Sequence, residues 1–218
     1  MWDQLREYGR EMPGDVRVVV VRGEGRAFSA GLDRAVAIGS LREMAALADA
    51  EAAERIAGYQ EAFAWLRRPY LVTIAAVQGH AIGAGFQLAL ACDLRIVTED
   101  VQFSMAEVTL GLVPDLTGTD RLVDLVGYAR ALEICLTARR IGADEATRLG
   151  LANAVVPAGD LDRSVEELTG RLLSADRNAV VEIKALLSGA RDRTAERQWA
   201  AERAAQLRRI RDLATPTD

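Results

Sequence analysis

The chain reads as an α/β fold whose strands end near residue 156 and whose remainder is helical. Three observations carry this reading. Short apolar runs at 16–21, 71–77, 94–97 and 154–156 alternate with segments of helix-forming composition, the pattern of an α/β core. Beyond Pro157 such runs stop, and charged segments of helical character continue towards the C-terminus. Half of the 218 residues are apolar and 27% are charged, which suits a folded chain with one sizeable core, or a core plus a helical appendage. We therefore expect an α/β core over residues 1–156 and a separate helical region over 157–218.

The elements follow in order. A helix opens at Trp2. Val16–Val21 is a β-branched run closed by Gly23-Glu24-Gly25, a buried strand followed by a turn. Phe28–Asp33 is a short extended piece ending in a loop. Residues 41–67 are rich in Ala, Glu, Leu and Arg, contain no Pro and one Gly, and predict helix. Pro69 interrupts, and Leu71–Val77 is a second buried strand. Gly79–Gly85 reads as a small-residue loop. Phe86–Ala91 is apolar nearly all round, which predicts a short helix inside the core. Leu94–Val97 is a third strand. After Pro157, helices are expected over Leu161–Leu173, Ala179–Leu187 and Thr194–Leu213. The last carries a narrow apolar stripe of Leu207, Ile210 and Leu213, which must pack on the chain's own core or on another subunit.

Several classes are disfavoured. The formal charge of −5 removes the electrostatic case for nucleic-acid binding. No apolar run reaches the roughly 18 to 20 residues of a membrane span. The N-terminus shows no basic segment followed by an apolar one, so a cytoplasmic location is expected. Cys92 and Cys135 make no disulfide framework. His80 is the single histidine, so no Cys/His metal site is expected. Neither a Walker loop nor a Rossmann glycine fingerprint is present.

Two small-residue segments follow strands: Ser29-Ala30-Gly31-Leu32 and Gly79-His80-Ala81-Ile82-Gly83-Ala84-Gly85. The second runs straight into the helix at Phe86. Small residues let a ligand approach the backbone, and a helix start offers unpaired N–H groups with partial positive charge. Together they suit a carbonyl oxygen that becomes negative during reaction. The alternative is that the glycines only permit tight packing.

Phe28–Asp33, His80–Asp93 and Gly111-Leu112-Val113-Pro114, in this order and spacing, resemble the enoyl-CoA hydratase/isomerase (crotonase) family. The resemblance runs from about Val16 to the C-terminus. It implies a spiral of ββα units and a C-terminal helical region that builds a homotrimer or a dimer of trimers. It also implies an acyl-CoA substrate, with coenzyme A entering as part of the substrate and no separate cofactor. The thioester oxygen would be held by the backbone N–H groups of Leu32 and Ala84. Ala30, Gly31, Asp33, Gly83 and Gln87 would line the substrate site.

Departures from the family pattern sharpen the expectation. Family hydratases use two glutamates, and the first falls on Gln87, which cannot exchange a proton near neutral pH. The second falls on Glu107. Asp115 falls where some family isomerases and dehalogenases carry a carboxylate, although Asp after Pro114 is also a common turn residue. Gln87 orients substrate or water, or is a satisfied core amide. Asp33 caps the next segment or lines the CoA pocket. This equipment suits an isomerase better than a standard hydratase. A hydratase acting despite Gln87 and a non-catalytic acyl-CoA-binding paralogue are the alternatives. Serine chemistry at Ser29 or Ser104 is disfavoured for want of a nucleophile context. The family's first strand has no counterpart ahead of Trp2, which reads as a naturally short chain or a start codon placed too late.

Overall fold

In the computed structural model the described residues are 1–214, without the side chains of residues 34–38. Four strands form a parallel sheet: β1 (Val18–Arg22), β2 (Val72–Val77), β4 (Leu94–Thr98) and β6 (Ala154–Val156), in the order β1-β2-β4-β6. A second, smaller parallel pair is β3 (His80–Ile82) with β5 (Gln102–Ser104). Bridges from Ser29 to Ala81 and from Phe103 to Ile141 extend this pair on both sides. The chain thus alternates between the two sheets, placing β2 in the first and β3 in the second, then β4 in the first and β5 in the second.

β2 shows why the sheet is parallel and central. All six of its residues are buried, as expected where crossover helices cover both faces. Ala75 and Val77 face the main core, while Ile74 and Ala76 join Ile96, Leu161 and Val165 on the opposite face. That second face is covered by α8 (Leu161–Ser174), the first of the C-terminal helices. Buried α4 (Ala84–Ala91) joins the main core and packs against β3. Its Phe86 stacks on Phe103 of β5 with ring centroids 4.7 Å apart, a pairing worth about 0.5–1.5 kcal/mol beyond area burial. At the start of the chain, α1 (Trp2–Glu11) sets Trp2 5.1 Å from Phe63 of α3 (Asp49–Ala64).

Two sequence expectations are corrected. The helix expected over 41–67 is two helices and a turn: α2 (Arg34–Ala45), α3, and a 3-10 turn at Trp65–Arg67. Gly79–Gly85 is not all loop, because His80–Ile82 pairs as β3. Its residues carry little strand propensity, and the order comes from neighbouring backbone at Ser29 and β5. The remaining helices are α5 (Gly118–Val126), α6 (Tyr128–Thr137), α7 (Ala143–Arg148), α9 (Arg177–Ser188) and α10 (Ala195–Ala214). Lys184 of α9 reaches the sheet, donating to Leu71 O at 2.5 Å and to Asp93 Oδ2 at 2.7 Å. Asp93 also accepts from the Thr73 N–H and hydroxyl, so it joins sheet and tail. Among the described residues, no helix is long and apolar enough to cross a membrane.

Candidate active site

The site forms where the two small-residue segments meet. Ser29 N–H donates to His80 O at 2.9 Å and Ile82 N–H donates to Ser29 O at 3.0 Å. A Cβ on Gly31, whose φ is +89°, would stand 2.8 Å from Ile82 O, and one on Gly85 would stand 2.5 Å from Ser29 Cβ. Only glycine permits both approaches. Leu32 and Ala84 follow directly from these touching segments. Ala84 opens α4, so its N–H has no acceptor within the helix. Among the described residues, neither the Ala84 nor the Leu32 N–H donates a hydrogen bond. Ala30, Leu32 and Asp33 lie exposed at the rim, with Gly31 half-buried beside them. Asp33 is itself engaged by a neighbouring group.

Gly83 joins this rim to the carboxylates. It has φ +52°, donates its N–H to Ser104 O at 2.8 Å, and a Cβ on it would lie 3.3 Å from Glu107 Oε1. The Ala84 N–H and the Glu107 carboxylate therefore flank one glycine. Glu107 opens a 3-10 turn over Glu107–Leu110. Its Oε1 accepts from Gln87 Nε2 at 2.6 Å, while Oε2 is buried and, among the described residues, has no hydrogen-bond partner. Burial pushes the Glu107 carboxyl above the ordinary range; its backbone bond and Gln87 oppose this, and the Asp115 charge adds to it. Asp115 is half-buried and is likewise pushed up by burial.

Gln87 is fully buried and is held at both ends of its amide, because its Oε1 also accepts from Leu116 N–H at 2.8 Å. Sequence reasoning missed two groups that tie down the Asp115 segment. Gln60 Nε2 donates to Asp115 O at 2.9 Å, and Arg67 Nη2 donates to Thr117 O at 2.5 Å. Both lie at least 50 residues from their acceptors in the chain, and no local pattern marks them. Thr117 sits at φ +63°, an outlier for a β-branched residue.

The histidine, the two serines and the buried cysteine do not enter this cluster. His80 is exposed on β3. Ser29 Oγ accepts from Gly31 N–H and Ser104 Oγ donates to Ala138 O, so neither bonds an imidazole. Burial pushes the Cys92 thiol up to about 12, far from a nucleophile's range.

A family model described as enoyl-CoA hydratase/isomerase matches residues 7–212, frame and site together. The chain belongs to the enoyl-CoA hydratase/isomerase family. It is 39% identical over 166 residues to a crotonyl-CoA hydratase of Syntrophomonas wolfei, covering 76% of this chain and 61% of that protein. It is 33% identical over 192 residues to the peroxisomal Δ(3,5)-Δ(2,4)-dienoyl-CoA isomerase of Arabidopsis thaliana, covering 84% and 68%. Among solved structures, a Thermobifida fusca protein described as an enoyl-CoA hydratase, in complex with CoA, is 48% identical with a TM-score of 0.90. That match covers 98% of this chain and 84% of the other. The chain spans between about half and two thirds of the length of the curated relatives it matches. This family's fold is thus the α/β architecture seen here.

Proposed function

We propose that the protein acts on acyl-CoA thioesters and moves a double bond by proton transfer through an enolate. The observation that carries this reading is Glu107 Oε2, a buried carboxylate oxygen, across Gly83 from the N–H of Ala84, neither having a hydrogen-bond partner among the described residues. The thioester oxygen accepts from the Leu32 and Ala84 N–H groups. Glu107 removes a proton from C2 of a 3-enoyl-CoA, and the negative charge collects on that oxygen. Glu107 or Asp115 returns a proton at C4, giving the 2-enoyl-CoA with no net gain or loss of atoms. One base that returns its proton as an acid suffices. Ala30, Gly31 and Asp33 border the CoA side, and coenzyme A arrives with the substrate.

Water addition is the second reading, favoured by the hydratase names of several relatives. It needs proton transfer to and from water and carbon, and Gln87 offers no proton near neutral pH. We also propose a trimer or a dimer of trimers. Leu207, Ile210 and Leu213 of α10 are 52%, 50% and 76% exposed in the single chain, a stripe that a neighbouring copy would cover.

Turnover of a 3-enoyl-CoA and of crotonyl-CoA by the purified protein tests the reading. We expect isomerisation to exceed hydration by about 10²-fold or more, the scale of one acid/base group. Rapid hydration of crotonyl-CoA, with no gain from Gln87→Glu, would sink it. Acyl-CoA binding without any turnover would put the binding-paralogue reading in its place.

A further inference from the structure

We infer that Gln87 is a positioning residue for proton transfer: it holds Glu107 by one oxygen and the Asp115 segment by one N–H, and leaves Glu107 Oε2 as the only oxygen that exchanges the proton. The inference rests on Glu107 being the acid/base.

The direction of the Gln87 amide is fixed by chemistry. The Leu116 main-chain N–H can only donate, so the amide oxygen must face it. The amide nitrogen then faces Glu107. A flipped amide would set N–H against N–H on one side and oxygen against carboxylate on the other. The side chain has no room to swing away, since a Cβ on Gly118 would lie 2.7 Å from Gln87 Cγ.

With a donor fixed on Oε1, that oxygen cannot carry the proton, because an O–H there would point at an N–H. The proton is confined to Oε2, which is buried and, among the described residues, has no hydrogen-bond partner. The same amide grips Leu116, between Asp115 and Thr117, whose carbonyls are held by Gln60 and Arg67. One buried side chain thereby sets both the face that Glu107 presents and its placement relative to Asp115.

The test compares wild type with Gln87→Met, Gln87→Glu and Glu107→Gln. The readouts are the pH dependence of kcat/KM on a 3-enoyl-CoA, the affinity for unreactive acetyl-CoA, and the carboxyl titration of Glu107 by carbon-13 NMR. The Glu107 signal is assigned by its loss in Glu107→Gln. Gln87→Met removes both amide bonds at similar length. We expect kcat to fall by about 10²-fold, the cost of a modest misplacement, with a much smaller change in acetyl-CoA affinity. The acidic limb and the NMR midpoint both move up by about one to two pH units, the effect of losing a hydrogen bond to an ionised group. Gln87→Glu keeps the acceptor for Leu116 and shares one proton with Glu107, so its upper titration moves further up. If Gln87→Met does not fold, Gln87→Glu carries the test, because its protonated form keeps both bonds. If Glu107→Gln is inactive while both Gln87 variants titrate as wild type, Gln87 is only a packing residue; the inference is overturned and the role of Glu107 stands. If Glu107→Gln turns over normally, the acid/base reading falls and this inference falls with it.

Discussion

Glu107→Gln separates chemistry from architecture. The new amide can present its oxygen to Gln87 Nε2 as Oε1 does now, so the contact that places the side chain survives. What is lost is proton exchange. A positioned acid/base is worth about 10²–10⁴ in rate, which is about 2.7–5.4 kcal/mol of barrier at 1.36 kcal/mol per decade. We expect kcat for 3-enoyl-CoA to fall by that factor and KM to stay near wild type. The same variant reports on stability. Burial raises the Glu107 carboxyl in the folded state, so the folded protein binds this proton more tightly than the unfolded chain. That contribution is fully present below the unfolded value near pH ~4.3 and is lost as pH rises through the raised folded value. A neutral Gln never loses it. Thermal melts of the two proteins should therefore diverge in favour of Glu107→Gln as pH rises from acid to neutral. A kcat within an order of magnitude of wild type would refute the catalytic reasoning. A variant that loses ground to wild type with rising pH would refute the electrostatic part.

Ala84→Pro removes one N–H at the first position of α4, where proline suits a helix. We expect about 10²–10³-fold loss of kcat with the melt little changed and Ala84→Ser near wild type; equal activities would remove Ala84 from the oxyanion site. Lys184→Met leaves Asp93 without its cation. Breaking a buried pair costs about 3–5 kcal/mol, and Asp93 keeps two Thr73 donors, which points to the low end. At about 2–4 °C per kcal/mol for a chain of this size, melting should drop by about 6–12 °C, and an unchanged melt would show that the pair does not lock the tail to the sheet. Sedimentation at micromolar concentration should show a species of at least three times the 23.6 kDa chain mass; a single-chain species would end the trimer proposal.

The strands were legible because their signal is local. β2 is a continuous apolar run with turn residues on either side, and burial on both faces demands that. The three C-terminal helices were legible for a similar reason: charged, strand-free segments of helical composition have few alternatives. β3 was not, since His80-Ala81-Ile82 holds its extended form through hydrogen bonds to Ser29 and pairing with 102–104. The break between α2 and α3 carries no Pro or Gly, so composition alone read one helix.

At the site, residue identity and spacing marked the two small-residue segments and a helix expected from Phe86, while the family resemblance supplied Leu32, Ala84, Gln87, Glu107 and Asp115; the structure starts that helix at Ala84. A sequence records which groups are available, and glycine-rich turns announce a close backbone approach through conformational need. Only the tertiary structure decided what those groups do to one another. Gln87 and Glu107 are 20 residues apart in the chain and 2.6 Å apart in space. Gln60 and Arg67 come from a separate helix and turn to hold the Asp115 segment. The amide's direction and the unpaired Oε2, which has no partner among the described residues, follow from which donor faces which acceptor, a relation set by packing between distant segments rather than by the pattern along any one of them.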